Sequence, residues 1–230
     1  MDIVIIVPHG KCYKGPRMCD TRAKETANRL FVKVKAAGHR VRMFMTPHIR
    51  KIHDYNRDSS WVTEFRERIR SYIESRTGPV LIYEVHSFPP DTKEMDENQM
   101  VIFDIKAGEM AGCTLLKALE PLNLDIVQVT GSPVCSLQTE FANRPGVFHH
   151  LLEFNESYDM LTKKEEERIT SALTAFCLAP QLNLNCMRLR FGLLTYGMLI
   201  ILVLILTWYL LYYPQYAADN SILFARHDRR

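Results

Sequence analysis

The chain has 230 residues, with 29 Lys and Arg against 26 Asp and Glu, for a formal charge of +3. At 47% hydrophobic and 24% charged residues it is neither a disordered acidic chain nor a collagen-like or low-complexity one. The near balance of charge argues against a dedicated nucleic-acid binder, which concentrates a basic excess on one surface. Cys12, Cys19, Cys113, Cys135, Cys177 and Cys186 include no CxxC pair, and in a chain this long they read as reduced thiols rather than a disulfide framework.

The opening stretch, MDIVIIVPHG, has an acidic second residue and no small-residue cleavage site, so it reads as a strand rather than a secretory signal. Ile3 to Val7 is a β-branched run suited to a strand buried on both faces, and Pro8-His9-Gly10 ends it. After a loop, Asp20 or Thr21 can cap a helix running to Ala37. Its Ala23, Ala27, Leu30, Phe31 and Val34 fall at helical spacing, and Gly38 closes it. Val41 to Met45 is a second strand, which makes the opening a β-α-β unit and implies a parallel pair.

A second amphipathic helix is expected from Ser60 to Ser75, with Trp61, Phe65, Ile69, Tyr72 and Ile73 inward and a charged, solvated outer face. The third strand is expected from Val80 to Val85, ending at His86-Ser87, followed by a polar loop from Pro89 to Asn98. Met100 to Ile105, a helix near Met110 to Leu119, an extended piece at Asp125 to Thr130 and a strand from Val147 to Phe154 come next. A last helix spans Lys163 to Leu178. The expected fold class is α/β, with a mainly parallel or mixed sheet flanked by helices.

Phe191 to Tyr213 contains no charged residue, and 23 helical residues rise about 34 Å, enough to cross a bilayer core. Arg188 and Arg190 precede it, and Trp208, Tyr209, Tyr212 and Tyr213 crowd its far end as interfacial anchors. A domain of this size has no interior in which to bury such a helix on every side. The expectation is one C-terminal transmembrane helix at 191–213, reached through a linker at 181–190 and followed by a short polar tail at 214–230. It would tether a domain at 1–180 that faces the cytosol.

Four polar clusters fall at strand ends or in adjoining loops, where open α/β sheets place their ligands. They are Pro8-His9-Gly10, Asp54-Tyr55-Asn56-Arg57-Asp58, Glu84-Val85-His86-Ser87 and Leu152-Glu153-Phe154-Asn155-Glu156. Two imidazoles and a carboxylate leave one position of a tetrahedral zinc open. A further carboxylate can shuttle a proton, and an arginine can hold a carboxylate or a developing oxyanion. His9, His86, Glu153 and Arg57 match these roles. No GxSxG elbow accompanies Ser87 or Ser132, which sets a serine hydrolase aside.

In this order, VPHG, DYNRD, EVHS and LLEFNE resemble the motifs of the N-formylglutamate amidohydrolase family, itself similar to the zinc carboxypeptidases. The resemblance covers Ile3 to Tyr158. It implies a zinc carboxypeptidase-like fold, with His9 and His86 as metal ligands, Asn56 and Arg57 on a substrate carboxylate or oxyanion, and Glu153 as general base and acid. The third ligand is Asp20 or Cys12, and Asp20 also reads as a simple helix cap. Glu84 stands where the family has Asp, on the same strand face as His86, and would orient that imidazole. His149 shares a face with Glu153 and either lines the site or packs beneath it.

The expected function is that of a membrane-anchored, zinc-dependent hydrolase of amide bonds near a free carboxylate, as in an N-acyl amino acid or a peptide end. The alternative is an inactive scaffold of the same fold that serves as a binding or assembly module.

Overall fold

The computed structural model describes residues 1–10, 20–46, 63–89, 92, 95, 97–104, 115–130, 136–141, 144–178 and 201. The chain divides into two compact units, 1–183 and 184–230. The sheet and the helices that flank it belong to the first; of the second, Ile201 alone is described.

The strands are β1 (Asp2–Val7), β2 (Arg40–Met45), β3 (Val80–Phe88), β4 (Met100–Asp104), β5 (Ile126–Thr130) and β6 (Val147–Asn155). The helices are α1 (Thr21–Ala36), α2 (Thr63–Glu74), α3 (Ser136–Phe141) and α4 (Lys163–Leu178). The six strands form one mixed sheet in the order β2-β1-β3-β6-β4-β5. β1 pairs in parallel with β2 and β3, and β3 in parallel with β6. β4 runs antiparallel to β6 and carries β5 parallel to itself.

β1 and β3 are buried along their whole length because helices cover both faces of the sheet. On one face Ile3, Ile5, Val7, Tyr83 and Leu152 pack with Ala27 and Leu30 of α1 and Ile169 and Leu173 of α4. On the other, Val4, Ile6, Ile82 and Leu151 pack with Phe65, Ile69 and Ile73 of α2 and Leu137 and Phe141 of α3. By strand alternation this second face carries Val80, Ile82, Glu84 and His86 along β3, and Val147, His149, Leu151 and Glu153 along β6. The β3 row turns from apolar to ionisable toward its carboxyl end, while the β6 row carries His149 between Val147 and Leu151 and ends on Glu153. The chain leaves β1 through α1 toward β2, and returns past β1 to β3. The edge between β1 and β3 is therefore the switch point where such sheets bind ligands.

A buried polar seam holds the start of α1 in place. The Arg22 guanidinium donates to Glu166 of α4 at 3.2 Å, to the carbonyl of Asn155 at the end of β6, and to those of Ser157 and Leu161 beyond it. It also lies 4.4 Å over the Tyr158 ring. Thr26 donates to the same Glu166 at 2.7 Å, and Arg29 pairs with it at 3.0 Å.

Several expectations shift. β3 runs three residues past Val85, so His86 and Ser87 lie within the strand, held by pairing with Glu153 and Phe154 of β6. Asp20 stands at the N-cap position of α1, but its side chain makes no capping hydrogen bond. α2 begins at Thr63, with 60–62, including Trp61, outside the described residues; its Phe65, Ile69 and Ile73 are buried as expected. Residues 115–119 are helical, while 110–114 and Ile105 lie outside the described residues. α3 has no counterpart among the expected elements. No described helix is long and apolar enough to cross a membrane, and 191–213, apart from Ile201, lies outside the described residues.

Candidate metal centre

Three side chains converge where β1 and β3 end and α1 begins. His9 follows β1, His86 is the third residue from the end of β3, and Asp20 immediately precedes α1. All three are buried. Asp20 Oδ2 lies 3.1 Å from His9 Nδ1 and 2.9 Å from His86 Nδ1. The two rings meet edge to face, with centroids 5.1 Å apart. One ligand atom from each residue falls within 4.8 Å of the others.

Gly10 lets the chain turn closely behind His9. A Cβ there would sit 2.9 Å from both Met45 Cγ and Val7 Cγ1, so a larger residue would force either these side chains or the backbone next to His9 to shift.

The convergence has an electrostatic logic. Burial works to raise the pKa of Asp20, but hydrogen bonds and charge from His86 and then His9 outweigh it and hold the carboxyl well below its usual range. Burial works against a charged His86, yet hydrogen bonds to Asp20 and Glu84, with the fields of Glu153 and Asp20, raise its pKa well above the ordinary imidazole value. Both nitrogens of His86 face carboxylate oxygens, Nδ1 toward Asp20 and Nε2 toward Glu84 Oε1 at 3.0 Å. Such an arrangement calls for positive charge at Nδ1, from a proton or from a cation.

A tetrahedral zinc with bonds of 2.0–2.1 Å separates its donors by roughly 3.3 Å. The observed nitrogen–oxygen separations of 3.1 and 2.9 Å are within a few tenths of that. The donor set, two imidazoles and a carboxylate, is that of a zinc site with a position left for substrate or water. The second nitrogen of His86 donates to a buried carboxylate, as the ring of a metal-bound histidine usually does. The residues present therefore fit a divalent cation.

Glu84, fully buried, continues behind the site. Its Oε2 accepts from His149 Nε2 at 2.9 Å. Burial works to raise its pKa, but the hydrogen bonds from His149 and His86 dominate and hold it well below the normal range. Glu153 is directly opposite His86 in the β3–β6 register, on the same face of the sheet. Burial pushes its pKa up to about 7, against the lowering fields of His86 and His9.

Of the residues singled out in the sequence, the structure thus brings together His9, Asp20 and His86, with Glu84 behind His86 and Glu153 beside it. Asn56, Arg57 and Cys12 lie outside the described residues. Ser87 points to the opposite face, where it accepts from the Ala23 amide at 3.3 Å and donates to Glu156 at 2.7 Å. The sequence pattern leaves His149 undecided; its place on the face of Glu84 is the available signal.

No family model and no curated protein matches this chain. Solved structures do. The gene product Atu2144 of Agrobacterium tumefaciens is 14% identical over 81% of this chain and 90% of its own, with a TM-score of 0.60. An N-formylglutamate amidohydrolase of Ralstonia eutropha is 16% identical over 81% and 94%, with a TM-score of 0.49. The catalytic domain of CwlV, an N-acetylmuramoyl-L-alanine amidase of Bacillus (Paenibacillus) polymyxa, is 13% identical over 76% and 94%, with a TM-score of 0.45. At such identities the likeness is one of fold, and the mixed α/β sheet is shared with the Agrobacterium protein.

Proposed function

We propose that this chain is a metal-dependent hydrolase of amide bonds, with His9, Asp20 and His86 holding the cation, most simply zinc. The observation that carries the reading is the convergence of those three buried side chains beside Glu153. A cation held there would polarise a scissile carbonyl and acidify an attacking water.

The chain's own residues supply the rest. Glu153, with a pKa near neutrality, can take a proton from the water and return it to the leaving nitrogen, since a shuttle works best when its pKa matches the operating pH. Glu84 keeps the His86 ring fixed, so that its Nδ1 stays aimed at Asp20. The row of Ile82, Leu151 and Ile6 beneath the site excludes water from below and strengthens these interactions. On the motif resemblance, Asn56 and Arg57 would hold the free carboxylate of an N-acyl amino acid or peptide end.

The charge-free segment 191–213 would cross a membrane once and hold the domain against it, on the cytosolic side. Protease protection of the domain in sealed vesicles would reverse that orientation.

The test is metal content and hydrolysis by the full chain purified in detergent. Stoichiometric zinc and turnover of carboxylate-bearing N-acyl amino acids are expected, with both lost in His86→Ala. A well-folded chain that takes up no divalent cation refutes the reading.

A further inference from the structure

Glu84 and His149 are buried ionisable groups on the sheet face that also carries Val80, Ile82, Val147 and Leu151. His149 sits between Val147 and Leu151 on β6, against the Phe141 ring of α3 at 6.4 Å between centroids. It is as buried as the core around it. A polar pair in that place costs stability unless each polar atom is satisfied.

The hydrogen bonds assign the protons. Each oxygen of the Glu84 carboxylate faces one imidazole nitrogen, Oε1 that of His86 and Oε2 that of His149, so it is placed to accept from both rings. His149 must then carry its proton on Nε2, to donate to Oε2 at 2.9 Å, and His86 must carry one on its own Nε2, to donate to Oε1 at 3.0 Å. Among the described residues His149 Nδ1 is buried with no hydrogen-bond partner. That is tolerable for a bare acceptor nitrogen and far worse for an N–H, so burial itself selects the Nε2–H tautomer. His149 thereby anchors one oxygen of Glu84 and leaves the other to accept from His86 Nε2.

We infer that His149 is a positioning residue for the metal centre: through Glu84 it fixes His86 as the Nε2–H tautomer and presents Nδ1 to the cation. The inference rests on the proposed metal site. It adds that a histidine which never touches the cation sets how tightly the cation is held.

The experiment titrates Co²⁺ and Zn²⁺ into the full chain in detergent, following the cobalt absorption bands, for wild type, His149→Gln and His149→Phe. Gln keeps an N–H in the place of Nε2; Phe keeps the ring against Phe141 and removes the donor. Metal-free folding is followed alongside by circular dichroism. Loss of an outer partner of a ligating histidine typically weakens metal binding 10–100-fold. His149→Phe is expected to do so with altered cobalt bands, and His149→Gln to stay within about threefold of wild type.

Wild-type affinity in a folded His149→Phe, or equal loss in both variants, overturns the inference while leaving the metal site standing. Failure of the wild type to bind either ion overturns both. Nitrogen-15 NMR of the metal-free wild type is a check that needs no variant. Protons on Nε2 of both His149 and His86 are expected, and a proton on Nδ1 of His149 with none on Nε2 refutes the assignment.

Discussion

At the proposed metal centre zinc and protons would compete for the same place, and the competition has a predictable size. His86 has a carboxylate oxygen against each ring nitrogen, and these raise its pKa above the ordinary imidazole value and favour the charged ring in the metal-free site. A cation entering at Nδ1 must displace that proton. Glu153, half protonated near pH 7, adds a fraction when a cation lowers its pKa. Zinc binding is therefore expected to release about one to two protons at pH 6–7 and about one at pH 8, and its apparent affinity to rise at least about tenfold, or roughly 1.4 kcal/mol, per pH unit.

The stability of the metal-free chain should move the other way. The raised pKa of His86 contributes stability present below pH 6.5 and lost as pH rises through its folded value. Glu153, raised from 4.5 to about 7, costs stability as pH climbs through that interval. Asp20 and Glu84, both lowered, contribute stability present above about pH 4–5 and lost in acid. Metal-free protein is thus expected to be most stable in mild acid, where zinc would bind more weakly than at neutral pH.

At a hundredfold excess over its Kd, zinc stabilises by about 2.7 kcal/mol, which for a domain of this size is roughly 5–10 °C in Tm. Calorimetric titrations in buffers of different ionisation heat give the proton count, and scanning calorimetry with and without zinc at pH 5.5 and 7.5 gives the crossover. A zinc affinity flat across pH 6–8 with no proton released would show that Nδ1 of His86 is not where the cation binds.

Three further outcomes are expected. Glu153→Gln should lower hydrolysis about 10²–10⁴-fold while zinc content stays stoichiometric, because Glu153 is offered as a proton shuttle and not a ligand; a parallel loss of zinc would contradict that role. Gly10→Ala should cost roughly 1–3 kcal/mol in urea unfolding and weaken zinc binding, since its Cβ meets the stiff Val7 side chain and moves His9; unchanged zinc affinity would show the turn absorbs the clash elsewhere. Arg22→Leu should cost about 3–5 kcal/mol, because it leaves the Asn155, Ser157 and Leu161 carbonyls and part of Glu166 without a buried donor; a loss below 1 kcal/mol in the same assay would mean the seam is not what holds the start of α1.

What was legible in the sequence is what depends on near neighbours. The β1-α1-β2 unit and the limits of α4 follow from apolar periodicity and helix-ending signals, and both are found within a residue or two of where that pattern puts them. α3 escaped because six residues, SLQTEF, are too few to display a helical period. The antiparallel β4 and its partner β5 could not be oriented from the chain, since strand direction is decided by which edge of the sheet is left to pair.

The site divides along the same line. His9, His86, Glu84 and Glu153 were marked by lying at strand ends among apolar runs, a pattern carried in the sequence itself. Asp20 was offered as a ligand only by the motif resemblance, beside Cys12, and no local rule of the chain chose ligand over cap. Local rules make an aspartate before a helix a cap, but here the carboxylate turns from the helix amides to two imidazoles brought from 11 and 66 residues away. His149 likewise acquires its function only when parallel pairing of β3 with β6 sets its column beside that of Glu84. Residue type and spacing announce which groups must be satisfied; only the folded sheet decides by whom, because a buried charge takes its partner from whatever strand the topology lays next to it.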